Sequence, residues 1–202
     1  MKRESEIRDL YIENAINIIA NGGFEKATTK ELTYYGGDLS GLKMNVVYIY
    51  RIFGSKEKLY ETVFSCLDNE LYVAFMQGVE RVRGFNNELK ERMYNFFLSA
   101  WSFILKNEAR CRCYVRYYYS QYFNGEVRQE HNRLFMGVIN QLRGLFKDEA
   151  DVVSILHSVF TTLLDFGIRV YNGELEDNET NRPHIFNVLY CSMMTYFKGN
   201  EK

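Results

Sequence analysis

The chain has a single proline, Pro183, in 202 residues, so the commonest interruption to long helices is almost missing. Cysteine is also sparse. Cys66, Cys111, Cys113 and Cys191 follow no framework spacing, which speaks against a disulfide scaffold and for a reduced, cytosolic chain. The one close pair, Cys111-Arg-Cys113, puts its thiols on different helical faces with no histidine nearby, so they read as structural thiols and no metal site is expected. The three histidines, His131, His157 and His184, stand singly. There is no Ser-His-Asp order, no paired catalytic carboxylate and no phosphate-cradling glycine loop, so an enzyme has no visible site and no cofactor is implied. No apolar run reads as long and charge-free enough to span a bilayer, and the opening Met-Lys-Arg-Glu-Ser-Glu lacks the apolar region of a signal peptide. A cytoplasmic protein with no membrane partner is expected. A net charge of only -1 speaks against a broad nucleic-acid binder held by charge alone.

Apolar and aromatic residues are abundant, at 47% and 16%, enough to bury a full core in one large domain or two modest ones. Charge is uneven. Residues 81–143 carry 11 Lys and Arg against 5 Asp and Glu, a balance of +6, while 144–202 carry 5 against 9, a balance of -4. The acidic end is a poor surface for DNA. Residues 1–60 are near balance, at 9 against 8, so phosphate contacts there would rest on the placement of Lys30, Lys43, Arg51, Lys56 and helix N-termini.

The stretch from Phe24 to Leu59 holds three helix starts in quick succession. Thr28 and Glu31 stand at capping-box spacing, so one helix begins near Thr29. Asn45 is the N-cap of a second, with Met44 placed to staple onto Ile49; Ser55 caps a third after the corner at Gly54. In the short middle helix Ile49 and Phe53 face inward, leaving Val46, Val47, Tyr48 and Tyr50 nearer the outside. Such exposed apolar residues suggest a partner. A short capped helix between two others is how a chain builds a DNA-reading helix-turn-helix.

Around this segment the 3.6-residue period gives further helices. The first carries Ile7, Leu10, Tyr11, Ala15, Ile18 and Ile19 on one stripe and ends at Asn21-Gly22-Gly23. Others are expected from Ser55 to about Val82, from Glu88 to about Leu105 after a break at Gly84 and Asn86-Asn87, and from Glu108 to about Phe123. Three more follow, from about Val127 to Phe146, over 149–171 and over 183–198. The helix over 149–171 is apolar almost all round and needs cover on two sides, from its own core or from a second subunit. The whole is an all-α chain.

The residues Gly22, Gly23, Phe24, Thr28, Thr29, Ile49, Tyr50, Phe53, Ser55, Lys56, Glu57 and Leu59 resemble the DNA-binding segment of the TetR family of transcriptional regulators. Thr29 and Tyr50 are further apart than in the family pattern, the extra residues falling around Tyr34 to Leu42, so a longer turn precedes the recognition helix. The resemblance implies an all-α fold with a three-helix helix-turn-helix domain over residues 1–56 and a helical effector-binding and dimerisation domain over 57–202. It implies a ligand-responsive regulator, a repressor, that binds a palindromic operator in double-stranded DNA as a homodimer and answers to a small-molecule effector.

By that resemblance Tyr50 and Lys56 clamp phosphates, and Thr29, Asn45, Val46 and Tyr48 approach phosphates or base edges; Lys30 and Arg51 join them as expected DNA contacts by their charge. Val46 and Val47 offer only methyl groups, suited to thymine. An effector pocket is expected among Trp101, Tyr114, Tyr117, Tyr118, Tyr122 and Phe166, with Arg110, Arg112, Arg116, Arg128 or Arg133 to meet an anionic group, although the same aromatic spacing also suits plain core. The dimer contact is expected through Leu156, Phe160, Leu163, Phe186, Leu189 and Met193 of the last two helices. The competing readings are a small helical enzyme or a protein-interaction module using the central aromatic region.

Overall fold

The computed structural model describes residues 2–34, 45–83 and 88–198. Among them are nine α-helices and no strand: α1 (Lys2–Gly22), α2 (Thr29–Tyr34), α3 (Val46–Phe53), α4 (Lys56–Arg83), α5 (Leu89–Lys106), α6 (Glu108–Tyr118), α7 (Gly125–Leu142), α8 (Val152–Tyr171) and α9 (Asn181–Met194). A 3-10 turn spans Arg143–Leu145, and one isolated bridge pairs Phe146 with Phe197. The all-α class is as the periodicity predicts. The proposed Met44 staple, Lys43, most of the long turn to Leu42, and the break at Gly84 to Asn87 lie outside the described residues.

The predicted starts are made by the groups expected. The Thr28 hydroxyl accepts the Glu31 N–H at 3.2 Å, the Asn45 side chain accepts the Val47 N–H at 3.1 Å, and the Ser55 hydroxyl accepts the Lys58 N–H at 3.1 Å. The Glu31 half of the capping box differs from expectation, since the backbone N–H of Thr28 goes to the Lys26 carbonyl at 2.8 Å and not to Glu31. Several predicted bounds differ: α7 stops at Leu142, not Phe146, α8 starts at Val152, not 149, and α9 spans Asn181–Met194, not 183–198. α6 stops at Tyr118, not at Phe123, because the Ser120 hydroxyl donates to the Tyr117 carbonyl at 2.7 Å and accepts the Tyr122 N–H at 3.1 Å, turning the chain.

The chain forms two packing units. The first holds residues 1–69 and 109–131, the second 70–108 and 132–202. In the first, Tyr11, Ala15, Ile16 and Ile19 of α1 are buried with Leu32, Ile49, Leu59, Val63 and Phe64. In the second, α8 packs on α5 and α9. Gly167 lets α8 approach α5 closely, since a Cβ there would sit 2.5 Å from Ile104 Cγ2. The loop before α9 is tied to α5 through Asp177, which accepts the Trp101 indole N–H at 2.9 Å and pairs with Arg182 at 2.6 Å. The Arg182 hydrogen bond, joined by the Trp101 bond and opposed by burial, leaves the Asp177 carboxyl below the usual range.

By length and composition alone α8 is the one helix among the described residues long and apolar enough to cross a membrane. It includes Asp165 and Arg169 and packs within its unit.

Candidate nucleic-acid interface

An eight-residue helix is marginal on its own, so α3 has to be held by its neighbours. α1 supplies two polar residues from its otherwise apolar inner stripe. The buried Tyr11 hydroxyl donates to the Asn45 carbonyl at 2.7 Å, fixing the first turn of α3, and the buried Asn14 amide donates to the Leu32 carbonyl at 3.0 Å, fixing the end of α2. Burial pushes the Tyr11 hydroxyl up to about 12, against a smaller lowering by its bond to Asn45, so it stays a donor. Ile49 is fully buried beneath α3, and the Phe53 ring meets Tyr11 edge-on at 6.3 Å.

Those anchors decide what faces out. Val47 is 64% exposed and Tyr50 54%, with Arg51 exposed beside them, at positions i, i+3 and i+4 of one helical face. Val46 and Tyr48 are half-buried at its edge, and Asn45 is exposed at its start. The Arg51 guanidinium lies over the Tyr48 ring at 4.6 Å and pairs with Glu4 of α1 at 3.1 Å. Gly54, at φ +86°, makes the corner that ends α3 and opens α4, a backbone angle that side-chain-bearing residues rarely take. Lys56 then stands in the first turn of α4, half-buried, its ammonium 5.7 Å from the Tyr60 ring centroid. Thr29 is half-buried at the first position of α2, and Lys30 is exposed after it.

Sequence reading missed Tyr11 and Asn14 as the residues that position the site. The available signal was a tyrosine and an asparagine three apart on an apolar stripe. It also set Val46 ahead of Val47, which the structure exposes more fully.

Four of the expected effector residues lie in the first unit. Tyr114 and Tyr117 are buried, with centroids 5.2 and 4.5 Å from Phe64 in stacked geometry; Tyr118 lies 4.5 Å from Phe123 and Tyr122 4.7 Å from Phe24. Trp101 and Phe166 lie in the second, where Trp101 is buried and stacked on Phe97 at 5.8 Å. Arg110 is held by the Glu13 carboxylate, with one bond of 3.2 Å. A cleft of about 430 Å³ in the first unit is lined by Arg8, Phe53, Lys58, Glu61, Glu126 and Glu130, and by none of the six. Among the described residues no three His, Cys, Asp or Glu side chains gather to hold a metal.

Of the expected dimer residues, Leu163, Phe186, Leu189 and Met193 are buried within the single chain, and Leu156 and Phe160 are half-buried. The apolar residues of the same helices that stand out are Val153, Val188 and Met194, exposed by 43%, 53% and 38%.

No protein-family model and no curated protein matches the sequence. Solved structures do match. A TetR family transcription regulator from Marinobacter aquaeolei VT8 superposes with a TM-score of 0.75 at 16% identity, over 95% of this chain and 97% of that one. The fatty acid degradation regulator from Bacillus halodurans gives 0.63 at 16% identity, over 96% and 99%. A protein from Saccharomonospora viridis, solved in complex with choline, gives 0.59 at 17% identity, over 94% and 96%. The chain therefore has the fold of TetR-family regulators along almost its whole length.

Proposed function

We propose that this chain, built on the fold of TetR-family transcription regulators, is a cytoplasmic DNA-binding regulator, a repressor that acts as a homodimer on a palindromic operator and releases it when a small effector binds. The observation that carries the reading is α3: a short helix bonded to α1 on one side that turns Val47, Tyr50 and Arg51 to solvent on the other. Folding alone gives no reason for two large apolar residues on that face, whereas a major groove does. Residues 1–56 would carry the DNA contact and 57–202 the effector and dimer roles. Tyr50 and Lys56, at either end of the Gly54 corner, would hold phosphates; Thr29, Lys30, Asn45, Val46, Tyr48 and Arg51 would complete the contact.

Dimerisation through α8 and α9 is supported by apolar residues that the single chain leaves uncovered or half-covered: Val153 and Val188 are exposed, and Leu156 and Phe160 are half-buried. An effector role is supported by the neighbour solved with choline. Ligand binding would shift the dimer between two spacings of its recognition helices.

The test is a gel shift with the DNA upstream of the chain's own gene, run across salt concentrations. A sequence-specific, salt-sensitive shift is expected. Lys56→Ala should weaken specific and non-specific binding alike and flatten the log-log salt slope by about one. Absence of any specific shift by the wild type would refute the reading, and an unchanged slope in the folded variant would remove Lys56 from it.

A further inference from the structure

The carboxylate of Glu4 sits against the cation best placed on the outer face of α3. Glu4 Oε1 is 3.1 Å from Arg51 Nη2, and the Tyr48 ring covers the guanidinium at 4.6 Å. The two acidic and basic side chains are 50% and 56% exposed. An ion pair this open adds little to stability. Its consequence is electrostatic: a guanidinium aimed at the same surface as Val47 and Tyr50 already has an anionic partner. Resting on the DNA-binding reading above, we propose that Glu4 is an intramolecular stand-in for a DNA phosphate, which masks Arg51 in the free protein and is displaced when the duplex docks.

Three physical points carry this. A guanidinium presents a planar fork that suits carboxylate and phosphate alike, so the two anions compete for the same N–H groups. Tyr48, three residues before Arg51 on the same helix, holds the plane of the fork without charge, so displacing Glu4 leaves Arg51 oriented and its ordering cost already met. Finally, once displaced, the Glu4 carboxylate is left beside a polyanion, and the repulsion lowers affinity for every duplex. The mask therefore acts on general phosphate affinity, raising the share of selectivity that must come from base contacts.

Glu4 also lies in the first turn of α1, where a negative charge is favourable in its own right. The experiment separates the two roles. Binding of a fluorescent duplex from upstream of the gene, and of a random-sequence duplex, is measured against salt for wild type, Glu4→Gln, Arg51→Ala and the double variant. Glu4→Gln should bind both duplexes about threefold more tightly at low salt, within the range an exposed ion pair is worth, since Arg51 no longer has to give up its carboxylate partner on docking. Its salt slope should steepen by about one. In the Arg51→Ala background the gain should fall by at least half and the slope should not change.

A wild type that binds DNA while Glu4→Gln leaves affinity and slope unchanged would overturn the mask and spare the DNA reading. So would an equal gain in the Arg51→Ala background, which would make Glu4 only a charge at a helix start. Failure of wild type and Glu4→Gln alike to bind either duplex would overturn both.

Discussion

Asp68 is the most consequential buried charge in the first unit. It is 7% exposed on α4, and its Oδ1 lies 3.0 Å from Nδ1 of His131, itself 6% exposed, and 3.4 Å from the Tyr114 hydroxyl. Phe64, Tyr118 and Phe123 surround the imidazole with ring centroids at 6.1, 5.5 and 5.3 Å. Burial first, and the Asp68 charge next, hold the Tyr114 hydroxyl well above its ordinary range, so it remains a donor. Asp68→Ala takes one acceptor from two buried donors at once. Taking the acceptor from a buried donor typically costs about 1–3 kcal/mol; with two donors affected, one through a long 3.4 Å contact, we expect about 3 kcal/mol. For a chain of this size that lowers the Tm by roughly 6–12 °C. Asp68→Asn keeps an oxygen acceptor and should fall between the variant and wild type. Urea denaturation followed by circular dichroism measures the loss, and fluorescence of Trp101 reports the second unit separately. Adding His131→Leu to Asp68→Ala should cost at least about 1 kcal/mol less than the two single losses combined, because the second change removes a donor already without that acceptor. An Asp68→Ala protein within about 0.5 kcal/mol of wild type, the level of an ordinary surface change, or strict additivity in the double variant, would refute the account of these three groups as one buried unit.

Val188 is 53% exposed on α9, so Val188→Asp should leave folding near wild type while converting a dimer to monomer in sedimentation at micromolar concentration; a wild-type monomer, or an unaffected dimer, would count against association through this face. At alkaline pH the sign follows from raised folded-state values. Burial lifts Tyr11 from 10.0 and Cys113 from 9.0, each to about 12, and raises Tyr60 and Tyr117 as well. Their contribution is fully present below about pH 9 and is lost as pH climbs through 12. Tyrosinate absorbance should therefore lag behind free tyrosine until circular dichroism shows unfolding; full titration near 10 in a folded chain would contradict the burial.

What was legible in the sequence was local. Thr28, Asn45 and Ser55 each act on an amide two or three residues away, so their caps can be read from the string, and three helix starts followed. The 3.6-residue period gave the remaining helices for the same reason. Contacts across long separations were not legible. Tyr11 reaches Asn45 over 34 positions and Asp68 meets His131 over 63, and nothing in the neighbourhood of any of the four announces its partner. Aromatic spacing from Tyr114 to Phe123 suits a pocket and a packed core equally; the stacking on Phe64 depends on α4, far away in the chain. Likewise α8 is apolar almost all round, and its one polar side, with Ser154, Ser158, Asp165 and Arg169 exposed, does not tell which of the remaining residues meet α5 and α9 and which are left for a partner. Leu163 turned out to be inside, Val153 outside.

The two sides of α3 differ in what folding asks of them. Its inner side is fully explained by folding: Ile49 is buried, Phe53 meets Tyr11, Asn45 caps the helix and is itself bonded from α1. Remove the outer side chains and every one of these interactions stays. Val47 and Tyr50 are then a cost to the monomer, since exposed apolar surface in an eight-residue helix gains nothing from burial and strand-preferring side chains weaken the helix by a few tenths of a kcal/mol each. Arg51 is exposed as well, held among the described residues by an open ion pair and a ring face. A side chain that folding does not use is available to a partner, and three of them share one helical face, fixed at one end by Asn45 and at the other by the Gly54 corner. That face has methyl groups, a phenol and a guanidinium, the mixture that reads thymine methyls, base edges and phosphates. Its geometry is set by buried residues and its chemistry by exposed ones. On the proposed reading, exchanging Val47 or Tyr50 should therefore change DNA selectivity without changing where the helix sits.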